Sequence, residues 1–332
     1  MLTGAGQQNN FTMKRIFFIN FVVVIFLIIF LELVSNFFKL SGLMGIQSGL
    51  IKKINNTNYL NPNEEGVIFD EKVYTDKNGF RVPSKNFKYI GKKNIFILGD
   101  SVTFGNGVKE EETFIGLMRN DFKNINILNS SIPGYQIKDH VKVIHLTKKF
   151  NNIEKIFYFF TLNDVYGSSN IIDRNNNKKE SDYNLKKIKL LNELNIFLRN
   201  KSYLYMFVKG VGTDPSKRWF LNLYKFYENK DLSEIKKQFN YLNNFSKNAK
   251  SELIVILLPY EYQTRNCKKK FLKPQKKIKE ILSELNINFK DFTRKFCNLD
   301  IPKNNFYKFD PMHLSSNGHL LVYKTLIDEI NF

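Results

Sequence analysis

The sequence predicts an α/β fold built around a parallel sheet of five strands, and three observations carry that expectation. Short apolar runs at residues 94–98, 126–128, 155–160, 252–258 and 286–289 alternate with segments of helical periodicity, the pattern of a parallel sheet with crossover helices. The runs Ile95, Phe96, Ile97, Leu98 and Leu253 to Leu258 are apolar throughout, as strands covered on both faces must be. In 332 residues, 43% apolar and 15% aromatic side chains supply enough surface for a packed core, which excludes a disordered chain.

Taken in order, residues 1–15 read as a short cytoplasmic N-terminus. Residues 16–38 are dominated by Phe, Val, Ile and Leu, broken only by Asn20, Glu32, Ser35 and Asn36, and are long enough to cross a bilayer. Lys14 and Arg15 precede the stretch and favour a cytoplasmic N-terminus, although Lys39, Lys52 and Lys53 weaken the asymmetry. No Ala-x-Ala-like site follows, so the segment reads as an uncleaved signal-anchor that holds the rest of the chain at the membrane outside the cytoplasm, in a periplasm or at the cell surface. Residues 39–92 are polar and Asn-rich, a connector with a turn at Lys77, Asn78 and Gly79 that lies over the domain surface. The α/β domain then occupies residues 93–332, with an insertion at 165–250. Helical pattern appears there at 185–198, through Ile188, Leu190, Leu191, Leu194 and Phe197, and again at 232–245. The aromatic residues of the insertion suit a lid or an acceptor groove, or simply core packing.

The net charge of +20 would suit a polyanionic partner, yet the lysines are scattered among Asn, Ile and Phe as a compositional habit. The densest group is Lys268 to Lys270 with Lys273, Lys276, Lys277 and Lys279; no nucleic-acid motif accompanies it. Cys267 and Cys297 are the two cysteines. Each follows a predicted strand, so neighbouring strands would bring them together in an oxidising compartment, and two separate thiols are the alternative. No phosphate-cradling glycine loop or metal-ligand spacing occurs, so no cofactor is implied. His140, His145 and His319 read as structural.

The chemistry gathers at the loops that leave the carboxyl ends of the strands, which converge on one edge of an open parallel sheet. Ser101 follows the first strand in Gly99-Asp100-Ser101, at the start of a helix whose N–H groups favour an oxyanion; the bland alternative is a turn with Asp100 or Ser101 as N-cap. His313 is the candidate base for the Ser101 proton, and Asp310 the carboxylate that orients it. Gly134, in the stretch 129–134, and Asn163, in 161–164, are candidate donors to a tetrahedral intermediate, each also readable as a turn residue. Individually these are weak signals, and together they describe a split Ser-His-Asp triad.

In these blocks the chain resembles the SGNH hydrolases, the GDSL-like esterase and lipase group, over roughly residues 93–332. Gly99-Asp100-Ser101, Asn129 to Gly134, Asn163-Asp164 and Asp310 to His313 occur in the family's order, with Thr161 where the third block usually begins with glycine. The resemblance implies a three-layer α/β/α sandwich of flavodoxin-like kind, a triad of Ser101, His313 and Asp310, and an oxyanion hole from the Ser101 and Gly134 N–H groups and the Asn163 amide. The four ordered blocks behind a membrane span lead us to expect a serine esterase cleaving an acyl ester, on a glycan or lipid. The same triad could instead pass the acyl group to a saccharide, or the chain could be a non-catalytic anchored binding protein that has kept the fold. Acyl length, substrate identity and oligomeric state are not readable from the residues.

Overall fold

The computed structural model describes residues 4–44, 47–54, 57–168, 189–297 and 302–330. The first part of the helical pattern expected at 185–198, residues 185–188, lies outside the described residues. Helix α1 (Gly4–Phe37) comes first; its residues from Met13 to Leu31 are exposed, and burial against the rest of the described chain begins only near its end, at Ser35.

Residues 39–92, expected to be a surface connector, are instead folded. Strands β1 (Gln47–Ser48), β4 (Glu65–Ile68), β5 (Glu71–Thr75) and β6 (Arg81–Val82) form an antiparallel sheet, and β2 (Ile51–Ile54) pairs with β3 (Thr57–Leu60) as a hairpin. Leu50, Leu60, Ile68, Val73 and Phe80 join the same core as the main sheet. The turn at 77–79 is present: Gly79 takes φ +77° and its N–H reaches the Asp76 carbonyl at 3.0 Å.

Five strands form the main sheet: β7 (Lys93–Gly99), β8 (Ile125–Asn129), β9 (Ile153–Phe160), β10 (Glu252–Leu257) and β11 (Asn288–Asp291). All pairs are parallel, in the order β11-β10-β9-β7-β8. The helices are α2 (Ser101–Phe104), α3 (Phe114–Asp121), α4 (Ile137–Val143), α5 (Lys189–Lys201), α6 (Tyr203–Thr213), α7 (Pro215–Asn229), α8 (Ser233–Asn248), α9 (Glu261–Asn266), α10 (Lys273–Glu284), α11 (Thr293–Cys297) and α12 (Ser316–Glu329). The chain steps outward from β7 to β8, then reverses and runs β9, β10, β11. Right-handed crossovers therefore place α3 on one face and α4, α8 and α10 on the other. Helix α12 packs on α3, and α4, α8 and α10 pack on one another and the sheet, giving three layers. The reversal leaves a crevice between the carboxyl ends of β7 and β9, where an open sheet binds ligands.

Cys267, at the end of α9, pairs with Cys297, at the end of α11, with Cα atoms 5.7 Å apart. The neighbouring strands β10 and β11 bring those two helices together.

His140 is fully buried on α4, edge-on to Tyr135 and Tyr158, and among the described residues neither ring nitrogen has a hydrogen-bond partner. Burial lowers its pKa to about 3. An imidazole that is neutral in the fold and free to protonate when unfolded stabilises the fold above its unfolded value. That stability is lost as pH falls toward the folded value. Replacing His140 by leucine is therefore expected to raise the unfolding midpoint at pH 5 by the equivalent of about 2 kcal/mol relative to its effect at pH 7.5. An equal effect at both pH values in thermal unfolding would refute it.

Candidate active site

Strand β7 delivers the Ser101 loop. Gly99 closes the strand because a β-carbon there would lie 2.1 Å from the Thr103 hydroxyl oxygen, so only glycine lets the chain double back. Asp100, fully buried, caps α2 by accepting the Val102 N–H at 2.9 Å, which settles the capping choice in favour of Asp100 and leaves the Ser101 hydroxyl for other work. The carbonyls that end this short helix are held from the folded N-terminal segment. Arg81, almost fully buried, donates to Phe104 O, Gly105 O at 2.9 Å and Val108 O at 2.6 Å.

The loop after β8 is stitched to the end of β7, with Ser130 N–H on Ile97 O and Ile132 N–H on Gly99 O, both at 3.2 Å. It leads to Gly134, exposed and at φ +82°, a conformation that favours glycine. A β-carbon there would meet only Asn58 Nδ2, at 4.0 Å, so backbone conformation and not crowding requires glycine.

Residues 306–315 form a pinned loop ahead of α12. Tyr307 N–H donates to His313 O at 3.0 Å, Glu261 N–H to Pro311 O at 2.9 Å, and Phe306 bridges Leu314. Phe309 sits at φ +60°, unusual for an aromatic residue, and turns the chain into Asp310. The Asp310 carboxylate accepts the backbone N–H groups of Met312 at 2.9 Å and His313 at 2.7 Å, and His313 Nδ1 at 2.9 Å. His313 Nε2 stands 2.9 Å from Ser101 Oγ. With Nδ1–H donated to the carboxylate, Nε2 is the nitrogen left to accept the serine proton. The structure thus brings Ser101, His313 and Asp310 into one hydrogen-bonded line.

Burial alone would lower the His313 pKa, but the Asp310 charge and hydrogen bond, with Asp100 adding its charge, outweigh it and leave the value raised. Burial acts on Asp310 in the opposite sense. The facing imidazole and the bonds from His313 and Met312 prevail and hold the carboxyl below its ordinary value.

Behind the line lies a buried network whose links are not apparent in the sequence. Thr161 Oγ has three oxygen neighbours, Asn163 Oδ1 at 2.8 Å, Asp100 Oδ2 at 2.9 Å and Asp164 Oδ1 at 3.0 Å, and a single proton to share among them. Burial first and the Asp100 charge second push the Asp164 pKa well above the carboxylate range. A protonated Asp164 can donate to Thr161, which then donates to Asp100. The other Asp164 oxygen accepts Tyr158 OH at 2.9 Å and Thr161 N–H at 3.2 Å. Asn163 is oriented in the same network: Nδ2 donates to Asp100 Oδ2 at 3.2 Å, and Oδ1 accepts Tyr260 OH at 2.8 Å. That arrangement leaves one amide hydrogen of Asn163 to donate elsewhere. Thr161 in place of glycine is therefore a link between the first and third blocks, supplied by register: Gly99 of β7 pairs with Phe159 of β9, so Ser101 and Thr161 leave the sheet side by side.

Next to the pinned loop lies a cavity of about 960 Å³, bounded by Phe207, Gly210 and Val211 of α6 and by Tyr307, Lys308 and Phe309. Beyond these, Asp214, at the start of α7, makes paired bonds to Arg265 at 2.9 and 3.1 Å. In the basic cluster, Lys273 pairs with Glu228, Lys276 with Glu280 and Lys279 with Asp291.

No protein-family model matches the chain, and no curated protein matches it significantly. Solved structures do. A lipolytic protein of the G-D-S-L family from Veillonella parvula is 14% identical, with a TM-score of 0.43 over 72% of this chain and 98% of that one. An acetylxylan esterase from Geobacillus stearothermophilus is 16% identical, with a TM-score of 0.42 over 74% and 97%. A psychrotrophic esterase from Pseudoalteromonas is 12% identical, with a TM-score of 0.40 over 71% and 96%. Likeness at this level concerns the chain trace and says nothing of activity.

Proposed function

We propose that the chain is a membrane-anchored serine esterase of the SGNH type, acting on an acyl ester of a glycan or lipid outside the cytoplasm. The observation that carries the reading is the line from Ser101 Oγ through the His313 ring to Asp310, with both contacts at 2.9 Å. Ser101 attacks the ester carbonyl and His313 takes its proton. The C–O bond to the alcohol then breaks as His313 returns the proton to the leaving oxygen, and a water activated by the same imidazole releases the acid from the acyl-serine. The Ser101 and Gly134 N–H groups and the remaining Asn163 amide hydrogen are the donors we assign to the developing oxyanion. The Cys267–Cys297 pair suits an oxidising compartment, and Lys14 and Arg15 suit the matching orientation of α1.

A fluorophosphonate should label the purified protein covalently, and peptide mass spectrometry should place the adduct on Ser101. An adduct elsewhere, or none, would defeat the proposal. Asn163→Ala removes a donor from the oxyanion and from Asp100 together, and kcat is expected to fall by roughly 10²- to 10³-fold with little change in KM. A change confined to KM would remove Asn163 from that role.

A further inference from the structure

We propose that helices α5 and α6 rest in the plane of the bilayer that α1 crosses, so that the chain meets the membrane at a second place. This rests on reading α1 as a membrane span. Glu32, the charged residue inside the apolar stretch, spends its carboxylate on the first turn of α6. It accepts the Ser202 hydroxyl and the Tyr203 N–H, both at 2.6 Å, and the Leu204 N–H at 3.2 Å. A negative charge on the N–H groups that open a helix is favourable, and a charge inside a span is retained where it has such a partner.

That contact sets the depth of α6. From Ile16, just after Lys14 and Arg15, a helix rises about 30 Å by Ser35, which is the hydrocarbon thickness of a bilayer. Glu32 therefore lies in the last turn before the far interface, and α6 begins at that level. Leu204, Val208 and Val211 share one side of α6, and Val208 and Val211 are 60% and 65% exposed. Alongside, α5 is joined to α6 through Tyr205 OH on Asn195 at 2.6 Å, and it exposes Leu194, Ile196 and Phe197. Arg199 and Lys201 end α5 in solvent, placed for headgroup phosphates. Apolar side chains left open to water beside an apolar span are a liability, whereas at an interface they are an anchor. Phe207, Gly210 and Val211 also wall the cavity that Tyr307, Lys308 and Phe309 close on the other side, so the same helix that meets the bilayer borders the loop leading into Asp310.

The test uses the full chain in vesicles of phosphatidylcholine and phosphatidylglycerol, with or without lipids that carry bromine near the ester end of one acyl chain and near the methyl end of the other, so that both the interface and the midplane are covered. Trp219 is the sole tryptophan, so Trp219→Phe gives a silent background for single reporters at Ile25→Trp in α1, Val208→Trp in α6 and Tyr241→Trp on α8. The proposal expects brominated lipid to quench the reporters at 25 and 208 and to leave the one at 241 bright. Quenching at 25 with a reporter at 208 as bright as that at 241 would overturn membrane docking while leaving the anchor intact. A bright reporter at 25 would overturn the anchor and the docking with it. Val211→Trp reads the same face should Val208→Trp not fold.

Discussion

Replacing Ser101 by alanine is expected to lower kcat on a short acyl ester by on the order of 10⁶-fold, to the level left by the remaining donors alone. The loss follows from position. Ser101 Oγ has His313 Nε2 as its hydrogen-bond partner, so the variant deletes the atom that would carry the acyl group and nothing else of consequence. The Ser101 carbonyl still accepts the Gly105 and Asn106 N–H groups at 3.2 Å, Asp100 still caps α2, and the thermal midpoint should move little. Stopped assays on purified protein in detergent, beside the unfolding curve, separate the two readouts. A variant that keeps more than a few per cent of the native rate would show that a different group forms the acyl intermediate.

The sheet was legible because burial on both faces leaves no choice of residue. The apolar runs at 94–98, 126–128, 155–160 and 252–258 each lie within or overlap an observed strand to within a few residues. The run at 286–289 begins early, because strand β11 is the sheet edge, and Asn288 to Asp291 there are not fully buried. Residues 39–92 escaped the same logic. Their strands are two to five residues long and partly exposed, so Lys52, Lys53, Glu65 and Lys72 hide the inward-facing Leu60, Ile68 and Val73.

The candidate site divides along a similar line. Ser101, Asp310 and His313 stand out because a nucleophile, a base and an orienting carboxylate are chemically improbable companions of loops at one sheet edge. Arg81 and Tyr260 could not be picked out. Their roles depend on which carbonyl or amide they meet across the fold, and residue type and spacing carry no trace of that. Asp164 and Thr161 were visible as neighbours of Asn163, but the proton they share with Asp100 exists only once β7 and β9 are in register. The pairing of Cys267 with Cys297, left open by the sequence, needed α9 and α11 to end side by side.

Asp310→Asn is expected to lower kcat by about 10⁴-fold without unfolding the loop. The amide oxygen can keep the bonds from Met312 N–H and His313 N–H, which shape the turn. Its NH₂ group, however, would face His313 Nδ1 and donate to it. The imidazole would then carry its proton on Nε2, the nitrogen that must accept from Ser101, and the base is lost to the wrong tautomer. The pH profile gives a second, independent readout. General-base chemistry needs the neutral ring, so activity is lost as pH falls through the His313 value, and in the native protein that value is raised by Asp310. The acid limb of kcat/KM should therefore lie above the ordinary histidine value and move to lower pH in the variant, even as the plateau drops. An acid limb that stays in place would mean that Asp310 does not set the charge state of His313, and a plateau reduced less than tenfold would mean that it does not set the tautomer.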